Sequence, residues 1–148
     1  MDWQARYYPT DVFTGIVRKI DGMVAENRFL APALVREEIG IVGTPDLKAW
    51  ARSRSGLFVP TAELLAAAGA IQGRFPGLID PKAEFEEADA YVIALAQMRG
   101  GIVVTQETSA AEKQKPKRPA YIPDVCREMG IFCISFLGFI RREGWRFD

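Results

Sequence analysis

Two short apolar runs, each set directly behind a glycine, constrain the fold of this chain more than any other feature. Ile102-Val103-Val104 follows Gly100-Gly101, and residues 131–134 (Ile-Phe-Cys-Ile) follow Gly130. Glycine just past a helical pattern is a stop signal for the helix. A fully apolar run behind it reads as a strand buried on both faces. Helices alternating with such strands predict an α/β chain, with a short parallel sheet flanked by helices. The 148 residues suit one domain, and no repeat or linker divides them, so 1–148 is read as a single unit.

The helices can be read from spacing. Phe13, Ile16, Val17, Ile20, Met23 and Val24 recur at three- and four-residue steps, predicting a helix over 11–27 with Asp11 as its cap. Pro32 opens a short helix that Gly40 ends. Thr44-Pro45-Asp46 opens another, Thr61 caps an alanine-rich helix over 62–71, and a fifth spans 84–98. Pro123 starts a short helix that Gly130 ends, and the last helix covers 136–143. Residues 109–118 read as a polar loop. With Phe29-Leu30 as a third strand, the sheet is still thin for so many helices.

Composition narrows the chemistry. The chain has no histidine, which excludes histidine-based hydrolases and nucleases and any zinc site that needs imidazole. Two cysteines, Cys126 and Cys133, cannot form a disulfide framework or a four-thiolate zinc site; they suit buried, reduced thiols and a cytoplasmic location. Nineteen basic and nineteen acidic residues cancel, so nucleic acid would have to be met by a local patch. The longest charge-free apolar stretch, 131–140, is too short to span a membrane, and the N-terminal MDWQARYYP has no apolar core of a signal peptide.

Carboxylates are then the natural carriers of chemistry. Asp89 shares its predicted helix face with Phe85, Val92 and Ile93, where an acid must be paired, bound to a cation or unfavourable. The plainer alternative is a first-turn acid beside Glu84, Glu86 and Glu87 that favours the helix dipole. Glu38 shares a side with Leu34 and Val35, and Glu37 is the more solvent-facing of the two; the plainer alternative is a solvated pair near a helix end. Glu107 follows the strand 102–104, and the carboxyl ends of parallel strands are where ligands bind; the plainer alternative is an ordinary loop acid. Asp124 most simply serves the first turn of its helix. Acids converging at one end of a sheet suit Mg²⁺ or Mn²⁺ acting on a phosphodiester.

Three segments resemble the acidic motifs of PIN-domain (PilT N-terminus) ribonucleases. VREEIG (35–40), ADAYVIALA (88–96) and GGIVVTQE (100–107) are similar to the second, third and fourth of these motifs. RYYPTDVF (6–13), IPDVCREMGIFCISF (122–136) and REGWRF (142–147) resemble a toxin-like branch of that superfamily. The resemblance implies a PIN-like three-layer α/β fold with Glu38, Asp89 and Glu107 as catalytic metal ligands. Thr105 matches a hydroxyl two positions before the last acid, and Asp124 supplies an additional carboxylate. It further implies Mg²⁺- or Mn²⁺-dependent hydrolysis of single-stranded RNA, an antitoxin protein as partner, and a homodimer.

One departure stands out. The family begins with an apolar strand carrying an aspartate at the centre of the sheet, and Asp2 has no such strand before it. The sequence as read therefore lacks an N-terminal strand and one ligand. That supports a rival expectation, a catalytically inactive PIN-like protein that acts by binding. A small-molecule enzyme has less support, since no glycine-rich phosphate loop follows a strand. Lys113, Lys115, Lys117 and Arg118 could follow an RNA backbone, although a solvated loop is the plainer reading. Trp3, Tyr7 and Tyr8 could stack on bases, but packing against the first helix is the more ordinary role.

Overall fold

The computed structural model describes residues 8–147. It is mixed α/β, with seven helices and four two-residue strands among those residues. The order is α1 (Thr14–Ala25), β1 (Ala31–Pro32), α2 (Ala33–Val42), α3 (Pro45–Arg52), β2 (Phe58–Val59) and α4 (Thr61–Arg74). There follow α5 (Asp89–Arg99), β3 (Val103–Val104), α6 (Ile122–Met129), β4 (Cys133–Ile134) and α7 (Phe136–Arg142). Short 3-10 turns lie at Ser55–Leu57, Pro76–Leu78 and Ala110–Glu112.

The strands form two parallel pairs rather than one sheet. Ala31 aligns with Phe58 and Pro32 with Val59, while Val103 aligns with Cys133 and Val104 with Ile134. The third strand therefore falls two residues after Phe29-Leu30. Its partner β2 lies between Gly56 and Pro60, where three apolar residues, Leu57, Phe58 and Val59, are too few to show a period.

Both glycine stops work as the sequence implied. Gly100 and Gly130 adopt left-handed conformations at φ 60° and 68°. The next amides, of Gly101 and Ile131, turn back to the carbonyls of Ala96 and Cys126, each at 2.9 Å. This closure satisfies orphan carbonyls at the helix ends and turns the chain directly into β3 and β4.

Helix α5 is the centre of the molecule. Ala90, Tyr91, Ile93, Ala94, Leu95 and Ala96 are all buried, and the helix packs along α4 while touching β1, β3 and α6. The stripe on α1 buries Ile16, Ile20, Met23 and Val24 as its spacing predicted. Phe136 and Phe139 of α7 join it through an aromatic cluster that includes Tyr8, whose ring lies 5.1 Å from that of Phe136. Packing is thus the role of Tyr8; Trp3 and Tyr7 lie outside the described residues.

Several boundaries differ from expectation, each for a local reason. Helix α1 starts at Thr14 instead of Asp11, which lies in a turn. Helix α2 runs through Gly40, whose conformation is not left-handed, and ends at Gly43. Thr44 does cap α3, accepting from the Leu47 amide at 3.3 Å. Thr61 is the first residue of α4 rather than its cap, and that helix continues to Arg74. Most consequential, α5 starts at Asp89, not at Glu84.

Candidate functional site

The late start of α5 follows from what residues 80–88 bond to. The Asp80 amide donates to Glu87 Oε2 at 2.9 Å, and the Lys82 amide to Asp80 Oδ1 at 2.9 Å. Tyr91 donates its hydroxyl to Glu86, and the Ala88 amide donates to Glu38 Oε1 at 2.9 Å. These bonds hold 80–88 as a loop and leave Asp89 in the first helical position. Phe85 is consequently not on the Asp89 helix face; it is exposed. The first-turn reading of Asp89 therefore describes its backbone position correctly, yet its side chain is mostly enclosed, 22% exposed.

Three of the acids singled out in the sequence come together here, with a fourth. Glu38 reaches across from α2 to the start of α5, half-buried, while Glu37 faces solvent. Glu107 stands beyond the end of β3. Its amide donates to Thr105 Oγ1 at 3.1 Å, and its Oε2 accepts from the Ile122 amide at 3.2 Å. Thr105 thus turns the chain that carries Glu107. Glu87, on the loop before α5, is the fourth carboxylate.

The electrostatics record how close these groups are. Burial pushes the Asp89 carboxyl up to about 7, the charge of Glu107 adds to the rise, and Arg118 opposes it; Glu87 and Glu38 add smaller rises. Burial also raises Glu38, the Ala88 hydrogen bond opposes that rise, and the charges of Glu87 and Glu107 reinforce it. Two buried acids raised by burial and by neighbouring carboxylates mark a candidate functional site on physical grounds.

Arg118 sits among them with only 11% of its side chain exposed. Its Nη1 donates to the Leu78 carbonyl at 2.6 Å and to Asp89 Oδ2 at 3.2 Å, and lies 3.5 Å from Glu87 Oε1. Its Nη2 donates to Glu107 Oε1 at 3.3 Å. The guanidinium also lies over the Tyr121 ring, 4.7 Å from its centroid. This changes the expectation for the basic loop: Arg118 is committed to the acids, and Lys113 lies over Tyr121 at 4.3 Å. Lys115 and Lys117 remain exposed.

Asp124 does not join the cluster. Its Oδ2 accepts from the amides of Ala110 and Tyr121 at 2.9 and 3.0 Å, and its Oδ1 from Arg127 at 3.1 Å. With its oxygens so engaged it clips the loop after Glu107 to the start of α6, which is the plainer role. Cys126 is buried and Cys133 half-buried, and both are free thiols. A hydrogen bond between them, with burial, drives the Cys126 thiol upward and away from reactivity.

A cavity of ≈150 Å³ opens beside the cluster, lined by Leu78, Ile79, Asp80, Phe85, Glu87 and Asp89 among others. Glu87 and Arg118 are the members of this site whose roles sequence reasoning missed. Glu87 was one of three acids with the same helix-dipole explanation, and Arg118 was grouped with the neighbouring lysines.

A family model described as a domain of unknown function (DUF4411) matches residues 1–147. The chain belongs to that family. No curated protein and no solved structure matches it. In this DUF4411 member, the all-oxygen donor set of the cluster is chemically suited to a hard divalent cation. The placement with Arg118 seated is not. Among the described residues, no three acids stand together in a way that could hold a metal ion. No helix among them is long and apolar enough to cross a membrane.

Proposed function

We propose that this protein is a PIN-like ribonuclease that hydrolyses single-stranded RNA with Mg²⁺ or Mn²⁺, as the toxin half of a toxin–antitoxin pair. The observation that carries this reading is the convergence of Glu38, Asp89 and Glu107 from α2, α5 and the end of β3. These are the three acids that the motif resemblance selects, from segments up to 69 positions apart, counting from 38 to 107. The charges of Glu38 and Glu107 acting on Asp89 support a shared site. Metal-assisted phosphodiester hydrolysis needs such a set of oxygen ligands and no histidine. Arg118 must leave the cluster before any ion can enter, so no catalytic step is drawn through a metal in the arrangement described above.

That same arginine favours a second reading, a catalytically inactive PIN-like protein that acts by binding. Here Arg118 would be a permanent structural counter-charge. Cleavage of a mixed pool of short single-stranded RNAs with Mn²⁺ separates the two. The nuclease reading expects products from the unaltered chain, lost with EDTA and with Asp89→Asn and retained with Glu37→Gln. Absence of cleavage by folded protein, with Arg118→Gln equally inert, would favour the binding protein.

A further inference from the structure

We propose that Cys126 and Cys133 are a redox-responsive thiol pair, which a hydroperoxide converts to an intramolecular disulfide. The chemistry needs neither a metal nor RNA, so the proposal is independent of the nuclease reading.

These are the two cysteines of the chain, and the fold brings them together. Cys126 lies in α6, completely buried, and Cys133 opens β4, half-buried. Between them α6 ends at Gly130, left-handed at φ 68°, and the Ile131 amide turns back to the Cys126 carbonyl at 2.9 Å. That closure folds the chain back on itself, and β4 packs on α6. Strand β3 holds β4 as well. Cys133 aligns with Val103, whose amide donates to the Phe132 carbonyl at 2.9 Å, and the Thr105 amide donates to the Ile134 carbonyl at 3.0 Å. The two thiols meet in a hydrogen bond. Their sulfurs must close to about 2.05 Å to join covalently. The turn between them can take up that movement, since Arg127, Glu128, Gly130 and Phe132 are exposed.

Their surroundings give the two thiols different roles. Cys133 is the one with access to solvent, and the hydrogen bond from Cys126 lowers it, against burial and the charge of Glu107. Its sulfur attacks one oxygen of the hydroperoxide, the O–O bond breaks, and an alcohol or water leaves with the thiol proton. Cys133 is then a sulfenic acid. Cys126, closed to outside reagents, attacks the Cys133 sulfur; the S–O bond breaks and water leaves with the Cys126 proton. Two thiols have lost two electrons and two protons, and the peroxide has been reduced. A transient, reversible bond of this kind is compatible with thiols that are otherwise kept reduced.

Hydrogen peroxide on the folded, metal-free chain is the probe, quenched by maleimide labelling in denaturant and read by intact mass and peptide mapping. The unaltered chain is expected to fall from two maleimide adducts to none, with a mass lower by two hydrogens. Peptides containing 126 and 133 should be joined, and dithiothreitol should restore both thiols. Cys126→Ser should stop at a sulfenic acid on Cys133 that dimedone traps, and Cys133→Ser should keep its one thiol under the same exposure. The oxidised chain should also unfold at a higher urea concentration than the reduced one, because joining sulfurs already in contact displaces neither α6 nor β4. Two thiols left after peroxide, a disulfide formed only between molecules, or oxidation of Cys126 in folded Cys133→Ser would each overturn the proposal. So would an oxidised chain that unfolds at lower urea. If neither serine variant folds, the thiol count and urea midpoint of the unaltered chain decide the matter alone.

Discussion

Replacing Asp89 with asparagine is expected to make the protein more stable at pH 8, by roughly 2 kcal/mol, and to flatten its stability between about pH 4 and pH 7. Burial first, and then the charge of Glu107, lift the folded carboxyl to about 7 against the opposition of Arg118. In the unfolded chain the same group titrates near 3.9. Between these values the native protein holds a proton that the unfolded chain has released. The stabilisation is complete below the unfolded value and is lost as pH rises through the folded one, at about 1.4 kcal/mol per pH unit at most. Asparagine keeps the neutral shape and never ionises. The side chain is 22% exposed, which reduces the full span to the smaller figure given. Asp21 and Glu112 are held below their ordinary values, Asp21 chiefly by Arg54 and Glu112 chiefly by Ser109, and act in the opposite sense. Subtracting the variant's urea-unfolding profile from that of the unaltered chain isolates Asp89. A variant less stable at pH 8 would mean that the attraction of Arg118 outweighs burial and the charge of Glu107, so that the folded carboxyl is not raised.

Arg118→Gln is expected to lower stability at pH 8 by about 3 kcal/mol, the scale of removing one partner from an enclosed ion pair. The loss should fall to less than half at pH 5, because Asp89 then carries its proton and the remaining charge needs less compensation. Native domains are stable by about 5–15 kcal/mol, so the variant is expected to stay folded. Added Mn²⁺ should recover part of the loss at pH 8, since binding to the native state alone stabilises it. Urea titrations at both pH values check this. A loss of the same size at both would assign Arg118 a packing role against Tyr121 and Leu78, with no dependence on the acids' charge.

Much of the scaffold was legible because its signals are local. A glycine that adopts the left-handed conformation ends a helix wherever it occurs, so Gly100 and Gly130 announced both the helix ends and the strands behind them. Spacing on α2 placed Glu38 beside Leu34 and Val35 and Glu37 towards solvent, although a solvated pair was the plainer reading of both. Strand β2 was not legible, because Phe58 and Val59 become a strand only through pairing with a segment 27 positions away, from 31 to 58. Asp89 was selected for a partly mistaken reason. Phe85 does not share its helix face, because the side chains of Glu87 and Glu38 hold the loop before α5, and the group bonded to its carboxylate is Arg118. Arg118 shows the limit most plainly. Its partners lie 11 to 40 positions away, and nothing in a run of lysines and prolines marks which cation turns inward. Asp124 followed its plainer reading, accepting from the Tyr121 amide at the start of its own helix and from the Ala110 amide 14 positions back.

A crystal of the Arg118→Gln protein grown with Mn²⁺, measured at the manganese absorption edge, tests the account most directly. An anomalous scattering peak is expected in the space vacated by the guanidinium, within bonding distance of Asp89 and Glu107 and absent from the corresponding Asp89→Asn crystal. A well-ordered cluster with no peak, or manganese bound only elsewhere, would contradict it.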